Sequence, residues 1–211
     1  MSEPQTDLGP SRPGWGFASC GWLALTGLAP ALEEDVYWDL LDEIGWGPKT
    51  SLERAAKAIV KRISAADCAG GVQRTQALGR LLAEQLEQWE YARGESLGLP
   101  DDKFMALVHH VVGLGQATFL RVQREPELVV RWVRQGRFKA GVLPVFQRAQ
   151  ELYPLEELTE ALVALADPVA AADAGRLTDQ QLVLHTEYGL GIVLVRGGAT
   201  RIVFADGDLP G

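Results

Sequence analysis

Residues 180–211 read QQLVLHTEYGLGIVLVRGGATRIVFADGDLPG, and the pattern of this stretch decides how the chain divides. Three short runs, Leu182-Val-Leu184, Ile192-Val-Leu-Val195 and Arg201-Ile-Val-Phe204, are dominated by residues that fit a pleated, half-buried surface. Tyr188-Gly-Leu-Gly191 and Arg196-Gly-Gly-Ala-Thr200 separate them, so the stretch predicts an antiparallel meander. Gly197–Gly198 suits a tight hairpin, because both positions accept positive φ without steric cost, and Asp206–Gly207 suits a further turn.

Upstream the periodicity changes. Residues 167–178 are small and poor in large apolar groups, the composition of a linker. Before them, apolar residues recur at three- and four-residue intervals, the stripe of amphipathic helices. Leu32, Val36, Leu40, Leu41 and Ile44 predict a helix stopped by Gly45 and Gly47–Pro48. Thr50 and Glu53 have capping-box spacing ahead of Leu52, Ala56, Ile59, Val60 and Ile63, with Gly70–Gly71 expected to end that unit. A third helix is expected over 72–93, with Leu78, Leu81, Leu82, Leu86 and Trp89 inward, and a fourth from Pro100 or Asp101 to Phe119. Gly113 and Gly115 fall inside the fourth, where they predict a kink or a close helix approach. Further helices are expected after Pro126 and over 144–152 and 154–166. The fold expected is mainly α, with about six to seven helices and a small C-terminal antiparallel β module, α+β in class. Its parts are an acidic flexible arm at 1–16, a helical domain at 17–166, the linker at 167–178 and the β module at 179–211. Trp15, Phe17, Trp22, Leu23 and Leu25 either clamp the arm to the body or form a partner-binding patch.

His185-x-x-Tyr188-Gly189-x-Gly191-x-Val193 followed by Val203-Phe204-x-Asp206-Gly207 resembles the Tudor/SH3-like modules of some bacterial superfamily-one helicases. It is also similar to the RNA-polymerase-interacting domain of CarD-type transcription factors. Thr186 stands where those modules usually carry proline, and 180–211 has room for three strands rather than the five of a closed barrel. The resemblance implies attachment to a protein partner, through residues such as Tyr188 and Phe204, and no chemistry. Val36-Tyr-Trp-Asp-Leu-Leu-Asp42, Pro100-Asp-Asp-Lys-Phe104, Gly113-Leu-Gly-Gln116 and Glu125-Pro-Glu127 resemble a bacterial family, domain-of-unknown-function family 4240, over roughly residues 31–140. That resemblance implies no reaction.

With 211 residues, 47% of them hydrophobic and 23% charged, the composition is that of a globular chain able to bury one substantial core. Apolar runs are broken well short of a membrane span, and Met1–Gly14 lacks the basic start and apolar run of a secretion signal, so a cytoplasmic location without membrane partners is expected. Cys20 and Cys68 lack the spacing of a disulfide framework or zinc ribbon and read as buried small hydrophobes. The net charge of −8 is concentrated at the start: residues 1–43 hold eight acids against one Arg. An acidic chain gains little from counterion release on a nucleic-acid backbone.

Against that background one run is basic: Arg121, Arg124, Arg131, Arg134, Arg137 and Lys139, opposed only by Glu125 and Glu127. Arg131 and Arg134 stand one helical turn apart and can grip neighbouring phosphates or carboxylates. Three occupants compete for this face: the chain's own acidic N-terminal region, nucleic acid, and an acidic protein. Asp39, Asp42, Glu43, Asp101 and Asp102 read as solvated helix ends, and His109, His110 and His185 lack the companions of a metal site. There is no nucleophile elbow, phosphate loop or dinucleotide fingerprint, and no catalytic residue, metal or cofactor is assigned. The function expected is a non-catalytic adaptor that binds another protein. The alternatives are a nucleic-acid-associated factor acting through 121–139, and an enzyme using the carboxylate and His groups.

Overall fold

The computed structural model describes residues 17–47, 50–94, 96–135, 141–166, 169–170, 181–185, 189–196 and 199–205. The arm at 1–16, the turns at Gly197–Gly198 and Asp206–Gly207, and the linker at 167–178 apart from Val169–Ala170 lie outside the described residues. The protein is mainly helical with a small antiparallel sheet. Nine helices form among the described residues, more than the six to seven expected. They are α1 (Phe17–Leu28), α2 (Glu34–Ile44), α3 (Leu52–Val60), α4 (Ala65–Arg93), α5 (Asp101–Gly113), α6 (Gln116–Arg124), α7 (Glu127–Arg134), α8 (Leu143–Gln150) and α9 (Leu155–Leu165). No helix among them is long and apolar enough to cross a membrane.

The excess has two sources. Residues 17–28, read from sequence only as an aromatic clamp or patch, form a helix that buries Trp22 and Leu25 and leaves Leu23 57% exposed. The expected helix to Phe119 is broken into α5 and α6. Gly115 takes φ 91°, a left-handed value that ends helical propagation, while Gly113 is needed for contact, since a Cβ there would sit 2.8 Å from Nε1 of Trp46.

Two helix boundaries also differ from expectation. The N-cap of α3 is Ser51, whose Oγ accepts from the Arg54 backbone N–H at 3.3 Å; Thr50 instead donates its hydroxyl to the Gly45 carbonyl. Gly70–Gly71 does not end a unit but lies inside α4. Ser64 caps that helix, accepting from the Asp67 N–H while its hydroxyl donates to the Asp67 carboxylate. The two glycines are there for contact rather than for a stop: a Cβ at Gly70 would lie 2.6 Å from the Pro30 carbonyl, and one at Gly71 would enter the ring of Phe146. The far end of α4 stops at Gly94, φ 63°, as a left-handed cap. Leu81, expected inward, is 45% exposed.

Packing divides the described chain into two compact units. Ala29–Pro154 forms the larger, whose core is aromatic. Tyr37 of α2 stacks on Phe146 of α8 with ring centroids 6.0 Å apart and meets Trp38 edge-on; Trp38 in turn packs on Phe119 of α6. The Tyr37 hydroxyl donates to Thr75 Oγ1 at 2.9 Å, because the Thr75 hydroxyl is itself spent on the Gly71 carbonyl. Burial raises the Tyr37 phenol well above its ordinary range, so it stays a neutral donor. Cys20 and Cys68 are both buried and are not joined in a disulfide, and burial pushes the Cys68 thiol up to about 12.

The other unit joins the described residues up to Leu28 with those from Leu155 onward. Here α1 packs along α9, with Gly21 against Leu158 and Leu162, and α1 also touches the sheet. The sheet has the order β1 (Val169–Ala170), β2 (Leu182–His185), β3 (Gly189–Arg196), β4 (Ala199–Phe204). The expected runs form the antiparallel β2, β3 and β4, and the two-residue β1 adds a parallel edge beside β2. Register pairs Arg196 with Ala199, which leaves two residues between the paired ends, the spacing of a tight hairpin. Leu190, Ile192 and Val193 are all buried, so β3 is covered on both faces.

The role assigned to the α4 glycines makes a stability test. Gly71→Ala should lower the denaturation midpoint, costing about 1–3 kcal/mol, because the Phe146 ring must leave its place. Gly27→Ala, on α1 with open space around it, should raise stability by about 0.5–1 kcal/mol through helix propensity alone. Equal effects of the two changes in a chemical melt would refute the packing role of Gly71.

Candidate functional site

The expected basic face is carried by α6 and α7, two helices with little core surface of their own. On α6 only Phe119 and Val122 are buried, and on α7 only Val129 is. Leu128, Trp132 and Val133 of α7 are half-buried, with Trp132 edge-on to His110 at 6.4 Å. This shallow seating turns Arg121, Arg124, Arg131 and Arg134 outward, and all four are exposed. Arg131 and Arg134 lie in the last turn of α7, where the helix carbonyls favour positive charge. Arg137 and Lys139 lie outside the described residues.

The two acids that interrupt the basic run are both engaged. Arg121 pairs with Glu125 at 3.6 Å within the same chain turn, and Arg93 of α4 holds Glu127 while stacking over the Trp89 ring. Arg124, Arg131 and Arg134 have no ion pair among the described residues, and none of them meets the acids of residues 33–43. Of those acids, Glu43 bonds Arg62, and Glu34 accepts from the Trp38 indole N–H. What remains on α6–α7 is an exposed cationic surface whose local acids are neutralised.

A second cationic surface was missed by sequence reasoning. Ala55, Ala56 and Ile59 bury one side of α3, which leaves Arg54, Lys57 and Lys61 on the opposite side at i, i+3 and i+7. With Ser51, Glu53, Ala58 and Arg62 they line an open hollow of about 490 Å³. Glu53 is the single carboxylate in it among the described residues, and it bridges outward to Arg148 of α8 at 2.8 Å as well as to Lys57 at 3.4 Å. The hydrogen bond from Arg148 chiefly holds the Glu53 carboxyl below its ordinary range. The signal that would have found this surface was the cation spacing itself, masked in the sequence by the preceding Glu53 and the intervening alanines.

In the sheet unit, Tyr188 lies outside the described residues. Phe204 is half-buried and pairs with Gly191 across the β3–β4 register; a Cβ at Gly191 would stand 2.8 Å from its ring. Its ring therefore packs over a glycine on its own sheet. Asp39, Asp42, Glu43, Asp101 and Asp102 are exposed on their helices, and among the described residues no group of three or more His, Cys, Asp or Glu side chains clusters to hold a metal.

His109 differs from its neighbour. It packs against Gly79 of α4 and the backbone of Gly141, and its Nε2 is buried without a hydrogen-bond partner among the described residues. Desolvation lowers its pKa below the ordinary 6.5, so the folded protein holds it neutral. Above about pH 6.5 both states are neutral and nothing is lost. As pH falls below that value the unfolded chain takes a proton that the folded one refuses, so stability drops until the lower, folded-state pKa is passed. Denaturant midpoints at pH 7.5 and 5.5 should therefore differ more in the native sequence than in His109→Gln. An identical pH difference in both would show that this side chain is not the source.

Compared with family models, curated proteins and solved structures, the chain has no match, so the reading of its function rests on its own residues.

Proposed function

We propose that this chain is a non-catalytic binding protein whose helical unit presents the α6–α7 arginines to an acidic protein partner. The observation that carries the reading is the state of the charges. Glu125 and Glu127, the acids within the basic run, are taken up by Arg121 and Arg93, while Arg124, Arg131 and Arg134 stay exposed without ion pairs among the described residues. Exposed arginines one turn apart suit carboxylate pairs, because the planar guanidinium donates two parallel hydrogen bonds. The net charge of −8 disfavours a polynucleotide, whose phosphates run on past the arginine face, more than a short peptide whose carboxylates meet that face alone.

The small sheet is the second attachment point in this reading. Support comes from its resemblance to Tudor/SH3-like modules and from the place of β4 at one end of the strand order among the described residues, the position at which a further strand can add. Because α1 packs on β3, removing the strands would uncover the side of α1 that they cover, so point substitutions probe this module better than truncation.

Fluorescence anisotropy with a labelled glutamate-rich peptide and with duplex DNA, both at low salt, separates the readings. The peptide should bind, and Arg131→Glu with Arg134→Glu should weaken it roughly tenfold or more. Tighter binding of DNA through the same arginines, with a steep salt dependence, would replace the adaptor reading with a nucleic-acid-associated one. No change in either ligand on charge reversal would remove this face as a binding site.

A further inference from the structure

The hollow on α3 lies on a different helix from the arginine face and differs from it in shape. We infer that it is a binding site for a compact, multiply charged anion of the phosphoryl class. Four cations line it, Arg54, Lys57, Lys61 and Arg62, in a protein whose net charge is −8. Arg54 and Lys57 lie on α3 and Lys61 and Arg62 directly follow it, so like charges crowd one short segment and repel one another unless an anion compensates them.

The internal compensation is partial. Lys57 pairs with Glu53, and Arg62 is held by Glu43 at 3.2 Å and by the Ala58 carbonyl at 3.4 Å. Glu53 and Glu43 each serve a cation on another element, Glu53 through Arg148 of α8 and Glu43, on α2, through Arg62. Arg54 and Lys61 have no ion pair among the described residues. They stand seven residues apart on the same face, about 10 Å along the axis, which long side chains can close around one ligand.

The size and lining narrow the ligand. The hollow, about 490 Å³ and open to solvent, lies within the size range of small-molecule sites. Among the described residues Ala58 is the one wholly apolar side chain in the lining, and the rest of its apolar surface comes from the stems of Arg and Lys, whose charged ends are left to meet an anion. The tethered Arg62 is pre-oriented, which lowers the ordering cost of binding. A ligand with two phosphoryl groups matches two free cations and two partly compensated ones, each dianionic oxygen set accepting from more than one donor.

Isothermal titration of the full chain with inorganic pyrophosphate, at about 50 mM salt, tests the inference. Saturable one-to-one binding is expected, weakened roughly tenfold or more by Arg54→Ala with Lys61→Ala and kept by Arg54→Lys. Arg131→Ala with Arg134→Ala should leave it unchanged, which separates this site from the α6–α7 face. Unaltered far-ultraviolet dichroism in each variant guards against unfolding as the cause. Absence of saturable binding up to about 1 mM would overturn the inference, as would binding indifferent to Arg54 and Lys61. Citrate binding as tightly as pyrophosphate would overturn the phosphoryl assignment. A single-stranded oligonucleotide binding more tightly through the same residues would overturn the compact ligand.

Discussion

The ring of Phe146 occupies the space that Gly71 leaves on α4, and the helical unit is organised around that contact. One turn further along α4, Thr75 receives the Tyr37 hydroxyl and returns its own proton to the Gly71 carbonyl. The same short stretch of helix therefore locates α8 by shape and α2 by a buried hydrogen bond. Gly70 does similar work beside it, admitting the backbone at Pro30, while the Leu32 N–H bonds the Gly70 carbonyl. Two adjacent glycines weaken a helix by about 1 kcal/mol each. Here the cost is offset by the burial of Phe146 and Tyr37, each worth about 1.5–3 kcal/mol as apolar area removed from water.

That arrangement also shapes the surface. Tyr37 and Trp38 draw α2 inward by one side, so its acids point outward, and Trp38 seats α6 through Phe119. The shallow seating of α6 and α7 keeps their arginines in water. Arg148 of α8 and Arg93 of α4 then remove acids from α3 and α7 respectively, and each leaves cations behind on the helix whose carboxylate it takes. Exposed ion pairs of this kind contribute little to stability. Their effect is on the charge left for a partner to meet.

The sheet was legible because strand periodicity is local. Three apolar runs at glycine-marked spacing became β2, β3 and β4, and Phe204 fell opposite Gly191 as the alternation requires. Most helices were legible for the same reason, although α1 was not and α5 and α6 read as one, and Gly45 and Gly94 act as left-handed stops. Glycine, however, has two uses that look alike in sequence. Gly70–Gly71 read as a stop and proved to be a contact, whereas Gly115 read as a kink and proved to be a break with φ 91°. Only the neighbours decide between these uses, and Phe146 lies 75 residues from Gly71.

The sequence by itself determined the mainly helical class, the β-rich ending and the basic run of 121–139, since each depends on spacing within one element. The tertiary structure alone decided that α1 and α9 pair, that Glu127 belongs to Arg93, and that Arg54, Lys57 and Lys61 share a hollow. The physical reason is range. Backbone periodicity is written over a few residues, but charge compensation and packing are settled between side chains that the sequence holds far apart.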